Sequence, residues 1–264
     1  MTTGWKEGKT GEERYIRSAE ILWDQLPGDI WLRGIPALRS LGRLRFDRNI
    51  TFFAGENGTG KSTLLEGIAV ACGFTPEGGT IHYHFSTFDE SAGLGQALQV
   101  SRGYKRPPFG YFFRAESFFN VASQAEVYRH RSLGEISKEV YYARYGGPAL
   151  HEQSHGESFL AWFQSCSDQG LYLMDEPEAA LSPQRQLALL VQMVRMAHSG
   201  AQFIVASHSP ILLGAPDAAI LNFDDQGIHP CTYEETGSYQ LTRLFLDGKD
   251  RLIRQLLQED EEEA

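Results

Sequence analysis

The chain has 264 residues, 42% of them hydrophobic and 22% charged, enough for one substantial core or a core with a small subdomain. No stretch approaches the roughly 18 to 20 apolar residues that a membrane span needs, and the start Met1-Thr2-Thr3-Gly4-Trp5-Lys6-Glu7 lacks the apolar run of a secretory signal. A formal net charge of −10 argues against a protein that coats nucleic acid, so contact with nucleic acid is left only to a local patch.

Residues 1–20 are polar and loop-like. From Ile30 to Phe53 short apolar runs are broken by Gly34, Pro36, Gly42 and Asn49, which predicts two or three short strands. The last of them, Ile50-Thr51-Phe52-Phe53-Ala54, reads as buried. It runs into Gly55-Glu56-Asn57-Gly58-Thr59-Gly60-Lys61-Ser62-Thr63, followed by an apolar helix from Ser62 to Ala71 with Leu64, Leu65 and Ile68. Gly73 and Pro76-Glu77-Gly78-Gly79 mark a turn. His82-Tyr83-His84-Phe85 alternates like a strand, and two histidines at that spacing with no third ligand are strand residues rather than a metal site. Residues 86–110 read as a loop or insertion, Tyr111-Phe112-Phe113 as a strand, Ala115 to Tyr145 as helical, and Ser158 to Phe163 as helical again.

Leu171-Tyr172-Leu173-Met174 and Phe203-Ile204-Val205-Ala206 are apolar runs of the buried parallel-strand kind. Between them lies a helix with Ser182 as N-cap, Pro183 at its first position, Leu187, Leu190, Val191 and Val194 on one face, and Gly200 closing it. Ile220–Phe223 and Ile228–Tyr233 predict a hairpin. One or two amphipathic helices follow, with Leu241, Leu244, Phe245, Leu252, Ile253, Leu256 and Leu257, and residues 258–264 form an acidic tail. Cys72, Cys166 and Cys231 are odd in number and scattered, so they make neither a disulfide framework nor a C-x-x-C pair. A reducing, cytoplasmic setting is expected. The alternation of strands and helices predicts one α/β domain over 1–264, with 86–165 as an insertion plus helical part.

Three motifs carry chemistry. Gly55 to Thr63 fits the phosphate-binding loop G-x-x-x-x-G-K-[ST]: glycines let main-chain N–H groups converge on phosphate oxygens, Lys61 reaches the β/γ-phosphates, and the Ser62 hydroxyl holds Mg²⁺. Leu171 to Met174 ends in Asp175-Glu176-Pro177. Both acids then stand at the strand's C-terminal edge, Asp175 to hold Mg²⁺ and Glu176 to act as base toward water. Phe203 to Ala206 ends in Ser207-His208-Ser209, which puts His208 where it can touch a terminal phosphate.

In this order the motifs resemble the ATP-binding-cassette ATPases in the wide sense that includes the SMC and RecF-like branches. The signature loop of that superfamily, Leu-Ser-Gly-Gly-Gln or -Glu, has its counterpart in Gln153-Ser154-His155-Gly156-Glu157, with His155 replacing the first glycine and Gln153 the leucine. Ser182 stands where the family often has an aspartate. Arg114 and Glu116 follow the middle strand, where the family has a glutamine. Phe113 to Phe118, His151 to Phe159 and Asp175 to Pro183 are similar to small stand-alone bacterial proteins labelled AAA-family ATPases.

The resemblance implies the P-loop fold of the cassette ATPase head: a mainly parallel sheet, an antiparallel β subdomain and a helical signature subdomain. It implies ATP and Mg²⁺, and a homodimer in which Ser154, His155, Gly156 and Glu157 of one copy cap the nucleotide on the other. The function it implies is an ATPase switch for an unidentified protein partner. The alternatives are a nucleotide-gated binding module with slow hydrolysis in DNA repair or defence, and, less favoured, the ATPase subunit of a transporter. Tyr15 and Trp31 are the aromatic residues considered for stacking on adenine.

Overall fold

The computed structural model describes residues 14–81, 92–115, 155–179 and 181–263. The apolar runs form the middle of one sheet. β3 (Ile50–Gly55), β8 (Gln202–Ala206) and β7 (Leu171–Asp175) lie parallel in that order. β6 (Gly110–Arg114) continues the parallel set beyond β7, and β9 (Ala219–Asp224) continues it beyond β3. The edges are antiparallel: β10 (Gly227–Cys231) pairs with β9, and β4 (Gly79–Thr80) with β6, giving seven strands.

Successive side chains on a strand point to opposite faces, and each face of this sheet has its own core. Phe53, Leu171, Leu173, Ile204 and Ala206 join Leu64, Leu65 and Ile68 of α2 (Lys61–Cys72). Phe52, Tyr172, Met174, Phe203 and Val205 join Phe159 and Phe163 of α4 (His155–Gln164) and the buried side of α5 (Pro183–Ser199). Tyr172 stacks on Phe203 at 5.0 Å between ring centres. Burial on both faces explains why these strands carry no polar alternation.

A second sheet, β2-β1-β5, is antiparallel and packs over α2; it consists of β1 (Ile16–Ile21), β2 (Leu44–Arg45) and β5 (Leu98–Arg102). One side chain joins it to the main sheet. Gln202, 1% exposed at the start of β8, accepts from the Ile16 N–H at 2.8 Å and donates to the Ile16 carbonyl at 2.8 Å. Its amide thus does what a neighbouring strand would do.

The hairpin β9–β10 lies where the sequence placed it, and α7 (Gly237–Glu263) consists of two helical segments that meet in a kink at Gly248 (φ −159°, ψ 42°). Other expectations are corrected. Residues 16–21 form β1 rather than loop; Arg17, Ser18 and Glu20 disguise a strand whose Ile16, Ala19 and Ile21 are buried. From Ile30 to Phe53 there are two strands, β2 and β3, as expected, but the segment before β2 is not extended. Trp31–Gly34 is a 3₁₀ turn and α1 (Pro36–Arg39) a helical one, since Pro36 at the first position presets φ for a helix.

The stretch read as loop over 86–110 contains α3 (Ala92–Ala97) and β5. On α5 the buried residues are Leu189, Leu190, Met193, Met196 and Ala197, while Leu187 and Val191 are exposed. The helix carries two overlapping apolar stripes, and the sheet takes the one richer in methionine. Ser182 occupies the N-cap, its carbonyl accepting from Gln186 N at 2.9 Å, but its side chain makes no capping bond. The strand expected at 82–85 and most of the helix expected at 115–145 lie outside the described residues.

Gln202→Leu leaves the main-chain groups of Ile16 without these partners. It should destabilise the fold by about 1 to 3 kcal/mol, read as a lowered urea midpoint with an unchanged slope; an unchanged midpoint would show that the two sheets do not depend on this clamp.

Candidate functional site

Because β3, β7 and β8 are parallel and in register, Gly55, Asp175 and Ala206 end at one edge of the sheet, the edge where open α/β sheets bind ligands. The chain leaves β3 through a loop whose glycines are sterically required. Gly55 has φ +128° and Gly60 φ +96°. A Cβ on Gly55 would stand 2.2 Å from the Phe223 carbonyl oxygen, and one on Gly60 2.9 Å from Ile35 Cγ2. Glu56, Asn57 and Gly58 form the exposed rim, and the Thr59 hydroxyl closes the loop onto the Glu56 carbonyl at 2.8 Å. The first bond of α2 runs from Leu64 N to Gly60 O. The N–H groups of Lys61, Ser62 and Thr63 precede it and have no intrahelical acceptor, the arrangement that binds anions.

Lys61 is 4% exposed, and its ammonium folds back to donate to the Gly55 carbonyl at 2.9 Å and the Glu56 carbonyl at 2.6 Å. Burial pushes its pKa below the ordinary lysine value, opposed by Glu176, Asp175, Glu178 and Glu56 in that order. Ser62 Oγ donates to Asp175 Oδ1 at 2.7 Å. A hydroxyl and a carboxylate so joined are the oxygen donors Mg²⁺ takes at nucleotide sites.

Arg114, at the end of β6, is in register with Asp175. It pairs with Glu66 of α2 at 2.7 Å, donates to the Pro76 carbonyl at 2.9 Å, and has Nε 3.9 Å from Asp175 Oδ2. Of the two residues considered for the place of the family's glutamine, Arg114 is a cation with no lone pair to offer a metal, and Glu116 lies outside the described residues.

Glu176 begins the turn after β7 with φ +47°, unusual for a residue with a side chain, and its N–H donates to Ala206 O at 3.0 Å. Its side chain is 45% exposed, and Oε1 lies 3.9 Å from His208 Nε2. That nitrogen is buried and, among the described residues, has no hydrogen-bond partner. Burial first, then Lys61, push the His208 pKa down, against the pull of Glu176. Glu178, which the motif reading passed over, accepts from the loop containing His208. Its only trace in the sequence is that it is the third acid of Asp175-Glu176-Pro177-Glu178.

The structure thus gathers Lys61, Ser62, Asp175, Glu176, His208 and Arg114. His155, Gly156 and Glu157 occupy the first turn of α4, which begins three residues earlier than expected, and Ser154 and Glu116 lie outside the described residues. Tyr15 is buried in the core and has no face to offer a base; Trp31 is 63% exposed on its 3₁₀ turn. A polyphosphate fits this edge, which brings together a buried ammonium held by two loop carbonyls, a cradle that a Cβ would fill, and an imidazole nitrogen without a hydrogen-bond partner among the described residues.

The lowered pKa of His208 has a defined consequence. The unfolded chain takes up the imidazole proton near pH 6.5, before the folded protein does. The contribution of His208 is therefore complete above that pH and is lost as pH falls through the depressed folded value. Urea titrations at pH 7 and pH 5 should show a larger loss of stability for the wild type than for His208→Gln; equal losses would remove His208 as a source.

The chain is similar to several known proteins. Residues 32–107 match the family model of an "AAA domain", and residues 158–214 that of an "AAA domain, putative AbiEii toxin, Type IV TA system". The cytochrome c biogenesis ATP-binding export protein CcmA of Alkalilimnicola ehrlichii is 26% identical over 191 residues, covering 69% of this chain and 78% of that protein. A solved ATP-binding cassette of an ABC transporter aligns over 89% of this chain and 96% of its own, with 14% identity and a TM-score of 0.51. The structure of cbiO1 from Clostridium perfringens, part of the ABC transporter complex cbiONQ, aligns over 93% and 99%, with 17% identity and a TM-score of 0.47. No helix among the described residues is long and apolar enough to cross a membrane. With the glycine loop and the strand order in agreement, the chain has the α/β fold of the ATP-binding-cassette domains, with a mostly parallel seven-stranded sheet among the described residues and a smaller antiparallel one.

Proposed function

We propose that this protein binds ATP with Mg²⁺ and hydrolyses it, and that two copies close on two nucleotides to act as a switch for a protein partner. The observation that carries the reading is the meeting of a buried, carbonyl-held Lys61 ammonium with Glu176 and the unpartnered Nε2 of His208 at one sheet edge.

Lys61 and the N–H groups at the start of α2 hold the phosphate oxygens, and Ser62 and Asp175 would hold Mg²⁺. When bound, the metal neutralises charge on those oxygens. Glu176, nearly half exposed, accepts the proton of the attacking water. His208 donates to the terminal phosphate, and its neutral form at neutral pH leaves one ring N–H for that bond.

Ser154, His155, Gly156 and Glu157 of a second copy complete the site. Support for this comes from the chain carrying one phosphate loop and one signature, and from the place of residues 155–157 in the first turn of a helix.

A second reading, a nucleotide-gated binding module with slow turnover, is favoured by Arg114. Fastened to Glu66, it is a cation at one of the two positions considered for the family's glutamine. The relatives also include an export protein and transporter cassettes, so a transporter subunit is a third reading, which co-purification with a membrane permease would support.

Lys61→Ala should weaken ATP binding by at least about a hundredfold in calorimetric titration, the scale of losing a charge-assisted phosphate contact; unchanged affinity would rule out the phosphate-loop assignment. Glu176→Gln should keep ATP affinity, lose roughly 10²- to 10⁴-fold in turnover, and double in mass on ATP addition by light scattering. A monomer at saturating ATP would sink the two-copy site.

A further inference from the structure

Metal binding and proton abstraction leave Glu178, a carboxylate beside the phosphate loop, unused. Glu178 stands on the turn after β7 and reaches across to the chain leaving β8. A single oxygen, Oε1, accepts from Ser207 Oγ at 2.8 Å, from the main-chain N–H of His208 at 2.6 Å and from that of Ser209 at 3.1 Å. The other oxygen is buried and has no hydrogen-bond partner among the described residues.

The two serines flanking His208 are themselves fixed. Ser207 is fully buried, and its Oγ also accepts from Ser209 N at 3.1 Å. Ser209, 4% exposed, caps the helical turn α6 (Pro210–Leu213) by accepting from Ile211 N and Leu212 N, and donates to Gln186 of α5 at 2.6 Å. His208 is therefore the one side chain of this tripeptide turned toward the site, with Nε2 3.9 Å from Glu176 Oε1. Glu178 is a poor candidate for the base itself, since its accepting oxygen already serves three donors while Glu176 is nearly half exposed.

We propose that Glu178 is a positioning residue: by gathering the donors of Ser207, His208 and Ser209 it sets the direction of that turn and aims the His208 imidazole at the terminal phosphate. The turns after β7 and β8 then behave as one piece, so the base and the phosphate contact keep their spacing. The role given to His208 rests on the ATPase reading; the brace itself does not.

The test is a double-mutant cycle on the full chain, with Glu178→Ala, Glu178→Asp, Glu178→Gln, His208→Ala and the double variant Glu178→Ala/His208→Ala, each checked for folding by its melt. Glu178→Ala and the shorter Glu178→Asp should lower kcat by about tenfold or more while ADP affinity, which reports the Lys61 cradle without a terminal phosphate, changes by less than about twofold. Glu178→Gln, whose amide oxygen can accept the same bonds, should keep kcat within about threefold. In the His208→Ala background Glu178→Ala should cost less than about twofold more, because a residue acting through His208 has nothing left to aim.

An equal loss in both backgrounds, or a fall in ADP affinity that tracks kcat, would overturn the proposal. Should Glu178→Ala not fold, the Asp and Gln variants carry the same comparison. A wild type without turnover would remove the ATPase reading alone. The brace is then judged by hydrogen–deuterium exchange at the 208 and 209 amides, which must quicken in Glu178→Asp and not in Glu178→Gln.

Discussion

A cation buried at the mouth of a parallel sheet organises this molecule. Lys61 is 4% exposed, and taking an ammonium out of water costs several kcal/mol unless its surroundings compensate. Two loop carbonyls do part of this, and they reach the ammonium only because Gly55 and Gly60 take positive φ in places with no room for a Cβ. The field of Glu176, Asp175, Glu178 and Glu56 does the rest. Those acids arrive from β3 and β7, and the turn at β8 steadies Glu178. The charge arrangement therefore depends on strand register, and the register on the two cores that sandwich the sheet. Gln202 extends the dependence to the smaller sheet, since its amide joins the first residue of β8 to the first residue of β1.

Arg114 changes the electrostatics around Asp175. Asp175 is 8% exposed and already takes the Ser62 hydroxyl. With Arg114 Nε 3.9 Å away, it also feels a positive charge. Arg114 is in turn neutralised by Glu66 at 2.7 Å, so the three groups form a chain from α2 through β6 to β7. Such a chain holds the Asp175 carboxylate in place and favours its charged form.

What the sequence made legible follows from how local each signal is. The loop, the paired acids and His208 are coded in short spacings, and the central strands in unbroken apolar runs, so both survive without tertiary information. β1 did not, because polar residues occupy half of a strand that a second sheet buries. The buried face of α5 did not either: Leu187 and Val191 continue one apolar stripe, Leu189, Met193 and Met196 another, and only the sheet decides between them. Gln202 and Glu178 act on partners 186 and 29 to 31 residues away, distances over which no pattern in a single sequence points from one to the other.

Glu176 shows how the fold reconciles adjacent acids with a shared site. Along a strand, neighbouring side chains point to opposite faces, so a straight continuation of β7 would send Asp175 and Glu176 apart. Instead Glu176 takes φ +47°, a left-handed conformation that costs a residue with a side chain about 1 to 2 kcal/mol. The proline that follows adds its own restriction. The bonds from Glu176 N to Ala206 O and from Ala179 N to Glu176 O hold the turn in this form. The reversal of direction leaves Asp175 on the Ser62 hydroxyl and brings Glu176 to His208. The strain is local, and what it secures is that two consecutive acids meet different partners at one edge of the sheet.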